Sequence, residues 1–407
     1  MRTISLAVPC AALLLLASCI AAERENSECD LEAIWLHIEN PSEFFFNDND
    51  TLKVVGTSDS SIVFTIRSNV NIQSVPTTLR ITDGATAYLV ADDGQETPFL
   101  NGSLVDFSEE QIRQFRVRSQ DRIWSRDYSI YIEHDKPIEI PDEGAITMDF
   151  EDYYLDASGK YYVWSAPDFF TDGEWKNGNP GFKISRSSAT PMEYPSTPAI
   201  GGGHNGSACL KLETCDTGAF GKMANMRIAS GSMFNGVFDV TNALKNALKA
   251  TQFGTPFPKK PTKMHVWLRY EPGSTFQERN GNAVSGVIDE PDAYVVLYRN
   301  EDASGNPIVL DGNDVLSSPY IVGLGRLPHH YNSDGSDQLS ANPIHGVTDQ
   351  WQEFIIPVEY RSEVNAQELE NKGYSLIIGF ASSWQGAYFK GAIGSKYYID
   401  DIKLFCE

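Results

Sequence analysis

The chain has 407 residues, and its 55 acidic against 32 basic side chains give a formal net charge of −23 at pH 7. A surface of that charge repels phosphate and argues strongly against nucleic acid as a partner. Beyond the N-terminal segment, no apolar run reaches the roughly twenty residues that a membrane-spanning helix needs, so the body of the chain is not expected to cross a membrane.

The N-terminal segment has the layout of a secretory signal. Arg2 supplies a positive charge, residues 4–16 are almost wholly apolar, and small residues precede a cysteine. A short cationic start, an apolar stretch and small residues at the cut are what a signal peptidase recognises. The tetrapeptide LASC at 16–19 resembles the lipobox of bacterial lipoproteins, in which the cysteine carries acyl chains.

We therefore expect a signal peptide over 1–18, lipidation of Cys19 and a tether over 19–29. Several acyl chains would hold the protein stably at a membrane. Ile20 is not the aspartate associated with inner-membrane retention, so we expect an outer-membrane or cell-surface location. An ordinary cleaved signal or a short uncleaved anchor is the alternative, and either also places the chain outside the cytoplasm.

The next part of the chain has an all-β pattern. Short runs rich in β-branched and aromatic residues, separated by Asp, Asn and Gly, predict strands at 34–38, 61–66, 77–81, 87–90, 114–119 and 128–132. In the last two runs, which lie on either side of QDRIWSRD, the side chains alternate between two faces, as in a terminal hairpin. Such a segment of about one hundred residues predicts an Ig-like sandwich over 30–135. It resembles the N-terminal Ig-like modules of bacterial surface lipoproteins, which usually act as spacers.

A linker is expected at 136–144, where KPIEIPDEG combines prolines, a glycine and charges without apolar periodicity. The remaining segment, 145–407, is again mostly strand. Strands are predicted at 264–270, 293–298, 320–324, 353–358, 376–380 and 397–405, and one helix after the N-cap candidates at 239–242. Strands with alternating side chains, separated by long connections rich in Gly, Asn and Ser, favour an all-β fold with the topology of a two-sheet jelly roll.

Three motifs in this second domain carry a family resemblance. They are GGGHNGSACLKLET at 201–214, DGNDVLSSPYIVG at 311–323 and SSWQGAYFKGAIGSKYYIDDIKL at 382–404. Together they resemble the putative carbohydrate metabolism domain family. The resemblance implies a jelly roll similar to carbohydrate-binding modules, an extracytoplasmic lipoprotein and a link to glycan use. It carries over no catalytic residue.

A structural calcium ion is predicted between the first and last strands of this domain. Period two places Asp400 on one face with Tyr398, Ile402 and Leu404, and that face has the composition of a core. An inward carboxylate is costly unless it is paired, hydrogen-bonded or bound to metal. In similar jelly rolls a first-strand glutamate and a last-strand aspartate often hold calcium, which implies Glu151 and Asp400 here. Backbone or hydroxyl donors to Asp400 are the alternative.

Sugar recognition needs flat apolar rings with polar groups at their rim. Trp384 and Tyr388 occupy SSWQGAYF, whose glycine and serines predict a surface loop. A second aromatic stretch supplies Tyr162, Trp164 and Trp175, some of which must belong to the core. Trp384 with Trp175 is the preferred binding platform.

A glycoside hydrolase would instead need two carboxyl groups about 5 to 10 Å apart. The candidates beside turns or strand ends are Glu193 and the group Asp289, Glu290 and Asp292 in VIDEPDAYVVLY, for which a solvated loop is the alternative. His329 and its neighbour suggest a metal, but adjacent side chains on an extended segment point apart, so they are interpreted as loop residues.

No GxSxG, HExxH, CxxC pair or phosphate-binding loop is present, which removes the better-marked enzyme classes and any organic cofactor. The sequence therefore predicts a lipid-anchored protein that binds an oligo- or polysaccharide. The alternatives are a glycoside hydrolase that uses a carboxylate pair and a structural, fimbria-like surface protein.

Overall fold

The computed structural model describes residues 24–46, 48–67, 70–108, 112–135, 144–167, 169–170, 173–329 and 350–407. The chain divides into two compact units, Met1–Pro137 and Ile138–Glu407. The predicted signal peptide, Cys19 and the linker up to residue 143 lie outside the described residues. No helix in the described part of the chain has the length and apolar character needed to span a membrane.

The N-terminal unit consists of two sheets. Its elements are β1 (Leu31–Leu36), α1 (Pro41–Phe44), a 3-10 turn (Asp48–Thr51), β2 (Leu52–Val54), β3 (Ser61–Ile66), β4 (Val75–Ile81), β5 (Thr86–Val90), β6 (Glu96–Pro98), β7 (Ser103–Val105), β8 (Ile112–Arg118) and β9 (Ser125–His134). The sheet orders are β2-β1-β4-β7 and β3-β9-β8-β5-β6. All pairs are antiparallel except β3 with β9, which is parallel.

The predicted terminal hairpin is present as β8 and β9. Arg116 faces Asp127 across the pair and binds it through two nitrogens, at 2.6 and 2.7 Å. On the opposite face of the same strands, Phe115 and Tyr128 are completely buried. The alternating polar and apolar residues of the sequence therefore correspond to the two faces of the sheet. The assignment of this unit to the Ig class stays a prediction.

The C-terminal unit is larger and also almost entirely strand. Its strands are β10 (Ala145–Met148), β11 (Tyr153–Leu155), β12 (Tyr162–Ser165), β13 (Glu174–Trp175), β14 (Ser196–Ile200), β15 (Ala208–Glu213), β16 (Cys215–Asp216), β17 (Ile228–Ala229), β18 (Ser232–Phe234), β19 (Gly236–Phe238), β20 (Thr251–Phe253), β21 (Thr255–Pro256), β22 (Pro261–Glu271), β23 (Phe276–Gln277), β24 (Asp292–Arg299), β25 (Leu310–Asp311), β26 (Ile321–Arg326), β27 (Gln352–Pro357), β28 (Glu359–Tyr360), β29 (Tyr374–Ala381), β30 (Gly391–Ala392) and β31 (Lys396–Cys406). Its helices are α2 (Asn179–Ser185), α3 (Gly218–Met223), α4 (Val240–Lys245) and α5 (Ala366–Glu370), with 3-10 turns at Pro191–Glu193, Ala247–Lys249 and Gly386–Tyr388.

Two antiparallel sheets form the sandwich of this unit. The front sheet has the order β14-β15-β31-β22-β27, with β10 also on β31, and the back sheet has the order β18-β29-β24-β26-β28, with β21 on β29. Leu268 and Ile399 of the front sheet and Leu297 and Ile378 of the back sheet are fully buried members of one core. The predicted all-β, two-sheet jelly roll is confirmed.

The predicted helix is present but short. Asp239 caps α4 by accepting a hydrogen bond from the Thr241 amide at 2.8 Å, as its position before the helix predicts. The helix ends at Lys245 and a 3-10 turn, Ala247–Lys249, continues the chain.

A bulge in β31 corrects the predicted orientation of Asp400. Trp267 of β22 faces Asp400, but His265 faces Lys403, so two residues of β31 oppose one residue of β22. Asp401 takes up the extra length with a left-handed φ of 46°. Asp400 therefore lies on the outer face of the sheet with Tyr398. Ile402 and Leu404, which follow the bulge, lie on the core face and are fully buried. Period two fails wherever a bulge inserts a residue.

Candidate functional site

Two of the predicted sugar-binding tryptophans are core residues. Trp164 has no exposed surface and Trp175 has 1%. Trp175 packs edge-on against Phe170, with ring centroids 4.7 Å apart. A ring enclosed by protein has no free face for a pyranose, so the prediction of a platform at these positions is corrected: large aromatic side chains gain more by filling the sandwich than by lining a loop.

Trp384 is also covered, with 8% of its surface exposed. Its indole stacks on His329 at a centroid distance of 5.3 Å, and the segment predicted as a surface loop packs inward at this point. Tyr388 is 47% exposed on a 3-10 turn, while Tyr162 packs against the core beside Tyr153. The predicted platform of Trp384 with Trp175 is therefore not presented to solvent.

The predicted catalytic carboxylates around Asp289 are buried. Asp289 accepts hydrogen bonds from Ser383 Oγ at 2.6 Å, from the Ala392 amide at 2.8 Å and from Ser395 Oγ at 2.8 Å. Burial raises the pKa of Asp289 from 3.8 to about 7, although these donors act in the opposite direction. Because the carboxylate has no exposed surface, the alternative of a solvated loop is wrong here.

The neighbouring Asp292 belongs to a buried ionic network. Burial alone would raise the pKa of Asp292, but Arg326, at 2.7 and 2.9 Å, and His329, at 3.2 Å, outweigh it and hold that pKa well below its usual range. Glu290 lies 3.4 Å from the other ring nitrogen of His329 and is fully buried. Asp292 raises the pKa of His329 against the effect of burial. The network lies in the interior, and neither of its carboxylates, Glu290 and Asp292, is open to a substrate.

Glu193 is exposed and has a local role. Its carboxylate accepts hydrogen bonds from the Thr190 amide at 2.7 Å and from Thr190 Oγ1 at 2.8 Å, which forms the capping box of a 3-10 turn. These bonds lower the pKa of Glu193.

The outer side of the front sheet carries a group of partly exposed aromatic and polar side chains that we call the aromatic face: His204, Trp267, Arg269, Trp351 and Tyr398. Trp267 and Arg269 are two positions apart on β22 and share one side of the sheet. The guanidinium of Arg269 lies 5.6 Å from the centroid of Trp351 and 4.3 Å from that of Tyr398. His204 stacks on Trp267 at 3.7 Å.

A glycine-rich loop between β14 and β15 places His204 on the sheet. A Cβ at Gly203 would lie 2.7 Å from the Gly206 carbonyl oxygen, and a Cβ at Gly206 would lie 1.9 Å from the Glu151 carboxylate. A side chain at 203 would force backbone atoms of the loop apart, whereas the flexible Glu151 side chain could move away from a side chain at 206. His204 Nδ1 then contacts Asp401 at 2.6 Å, and the Asn205 amide donates to the same carboxylate at 2.6 Å.

The predicted metal ligands lie at the base of this loop. Glu151 accepts from Ser207 Oγ at 2.5 Å and from the Ala208 amide at 2.9 Å, and Asp400 accepts from the His204 amide at 2.7 Å. Burial raises the pKa of Asp400 despite these donors. Among the described residues, no set of three or more His, Cys, Asp or Glu side chains is placed to hold a metal ion, so calcium stays a prediction.

The sequence reasoning did not single out the aromatic face. The signal was the alternation within 264–270, where apolar residues alternate with His265, Trp267 and Arg269. An exposed tryptophan beside an arginine on the outward side of a strand is a candidate binding residue. Trp351 and Tyr398 join them only because β27 and β31 flank β22 on either side.

A cavity of about 230 Å³ lies beside the back sheet. Its walls are mainly apolar and include Phe182, Phe234, Leu248 and Phe253. None of the site residues predicted from the sequence lines it. Hydroxyl side chains also line it, so polar groups interrupt the apolar walls: Ser185, Thr217, Ser230, Ser232 and Thr251.

The family model described as "Putative carbohydrate metabolism domain" matches residues 149–405. The chain belongs to this family. The match spans most of the C-terminal unit and includes every residue of the aromatic face and of the buried ionic network. It supports a carbohydrate-related role for the chain, in agreement with the resemblance of the three sequence motifs.

Two solved structures are similar to the chain. One is named a putative glycoside hydrolase from Bacteroides thetaiotaomicron VPI-5482, with 29% identity, a TM-score of 0.62, and coverage of 95% of this chain and 98% of that one. The other is named a putative glycoside hydrolase from Bacteroides vulgatus ATCC 8482, with 29% identity, a TM-score of 0.54, and coverage of 64% of this chain and 98% of that one. A search of curated proteins found no match.

Proposed function

We propose that the C-terminal jelly roll binds a glycan at the aromatic face. We also propose that a lipid anchor holds the protein outside the cytoplasm. The observation that carries the binding proposal is the cluster of partly exposed rings, Trp267, Trp351 and Tyr398, on one side of the front sheet. Such rings contact the C–H side of a sugar, while Arg269 and Asp401 at their rim can bind hydroxyl groups.

The anchor is proposed from the N-terminal sequence, where LASC at 16–19 follows an apolar stretch. Lipidation would occur at Cys19 and would place the protein at the outer membrane or cell surface. Labelling of cells with an alkyne-bearing fatty acid, followed by capture of the protein, tests this directly. The wild-type protein should carry the label and Cys19→Ser should not. Equal labelling of both would refute the proposed attachment.

Binding is tested on a glycan array with the purified protein and the variant Trp267→Ala. Trp124→Ala is the matched control, because Trp124 is 61% exposed in the other unit and loses the same side chain. We expect Trp267→Ala to lose binding while Trp124→Ala retains it, with unchanged melting temperatures. Undiminished binding by Trp267→Ala would remove the aromatic face from the function.

Hydrolysis is the second candidate, supported by the 29% identity to two structures named putative glycoside hydrolases. Of the four carboxylates predicted as catalytic, three are buried and Glu193 caps a turn. A catalytic group would thus have to come from other carboxylates, such as Asp401 beside the aromatic face. Release of reducing ends from a bound glycan, abolished by Asp401→Asn, would support hydrolysis. Binding without release supports a binding protein.

A further inference from the structure

Two lysines on the outer side of the front sheet are paired with glutamates of the same sheet, but the arginine beside the rings is not. Lys211 lies 3.0 Å from Glu213, and Lys396 lies 3.5 Å from Glu271. The remaining cation next to the rings, Arg269, makes no ion pair and no hydrogen bond with any described residue, and its Nε is buried.

The rings fix the position of this guanidinium without satisfying its donors. Tyr398 and Trp351 lie against Arg269 at 4.3 and 5.6 Å, close enough for cation–π contacts. Such contacts orient the planar group but use none of its N–H bonds. A guanidinium presents five donors in a rigid fork that matches the two oxygens of a carboxylate. The site is thus prepared for an anion that approaches along the rings.

The carboxylates near the aromatic face disfavour a densely charged ligand. Asp401 contacts His204 Nδ1 and accepts from the Asn205 side-chain amide, and Asp400 accepts from the His204 backbone amide. Because both carboxylates remain close to the face, they would repel a ligand with many negative charges more strongly than a ligand with a single carboxylate beside Arg269.

We infer that the glycan recognised at the aromatic face is acidic and that Arg269 binds the carboxylate of a uronic acid residue. This inference rests on the proposed binding function and adds the chemical class of the ligand. Trp267 would contact the neighbouring sugar, since it lies two positions along the same strand as Arg269.

The test uses matched pairs of oligosaccharides that contain a single galacturonate or a single glucuronate residue, each as the free acid and as its methyl ester, titrated into the purified protein by calorimetry. We expect one of the free acids to bind at least about tenfold more tightly than its ester, because a charged hydrogen-bonded pair is lost on esterification. Arg269→Gln should remove that difference and Arg269→Lys should retain part of it. Lys403→Gln, which removes one charge from an exposed position of the same sheet, should leave it unchanged.

The outcomes separate the two proposals. Equal affinity for acid and ester, preference for sulfated saccharides, or equal weakening of both ligands by Arg269→Gln would overturn the assignment of a carboxylate to Arg269. Retention of neutral glycans alone would do the same and would leave the proposed function standing. If no saccharide of any kind binds, the proposed function fails and the inference fails with it.

Discussion

The imidazole of His204 stacks on the indole of Trp267, with ring centroids 3.7 Å apart and planes 17° from parallel. One residue comes from a loop and the other from the middle of a strand. The contact leaves Trp267 only partly exposed and ties the loop to the sheet. The orientation of this tryptophan therefore depends on a residue that is distant in sequence.

Replacement of His204 by alanine should weaken glycan binding without unfolding the protein. The variant loses the stack on Trp267 and the contact with Asp401, both at a partly exposed position, so the rings lose their alignment. We expect a loss of about tenfold in affinity, which corresponds to one aromatic contact of about 1 kcal/mol or slightly more. Calorimetry measures the effect, and an unchanged affinity would contradict the role of the stack.

Gly203→Ala should weaken binding by moving the loop that carries His204. Its Cβ would lie 2.7 Å from the Gly206 carbonyl oxygen and 2.8 Å from the Ala208 carbonyl oxygen, which are backbone atoms and cannot rotate away. The loop would shift, and binding should fall by a similar factor. Gly202→Ala is the control in the same loop, because its Cβ would come no closer than 3.3 Å to another atom and neither glycine has a left-handed backbone. Equal binding by both variants would show that the loop does not position the face.

The buried ionic network should respond strongly to the loss of one partner. Arg326→Leu leaves Asp292 buried with only His329 as a cationic partner. Breaking one side of a buried pair typically costs about 3 to 5 kcal/mol, so the free energy of unfolding should fall by that order. Adding Asp292→Asn to this variant should recover part of the loss. Denaturant unfolding measures both, and a mild effect of Arg326→Leu would contradict the proposed stabilising role.

The raised pKa of Asp289 predicts how the free energy of unfolding changes with pH. Its pKa is about 7 in the folded protein and near 3.8 when unfolded, so the folded state binds the extra proton between these values. Its contribution to stability is therefore complete below about pH 4 and is lost as the pH rises through 7. The lowered pKa of Asp292 acts in the opposite direction, but below that window.

Asp289→Asn should remove this slope. Between pH 4 and 7 the wild-type protein should lose stability relative to the variant by a few kcal/mol, because asparagine carries no proton to release. Melting temperatures of the two proteins across this range provide the measurement. Parallel curves would mean that Asp289 does not titrate there.

Trp175→Ala tests the corrected assignment of an aromatic residue. Its ring is 1% exposed among Phe150, Phe170 and Phe380, so truncation should cost about 3 to 5 kcal/mol. The folded fraction should retain its glycan affinity, since Trp175 faces the interior. A loss of affinity with unchanged stability would restore the original prediction of a binding platform.

The all-β architecture, the family and most strands of the C-terminal unit could be predicted from the amino-acid sequence. The run at 293–298, for example, is contained in β24, Asp292–Arg299. Alternation of side chains is a local property of an extended chain, so it can be read without knowledge of the partners. The N-cap at Asp239 was predictable for the same reason.

The exposure of individual rings and carboxylates could not be predicted in this way, because it depends on the tertiary fold. Trp175 and Trp267 are the same residue type on strands, yet one fills the core and the other lies on the outer face. Asp400 changed sides because of one inserted residue at Asp401, and Asp289 is closed off by serines roughly a hundred positions away. Exposure depends on what packs against a residue from elsewhere in the chain, and no local pattern contains that information.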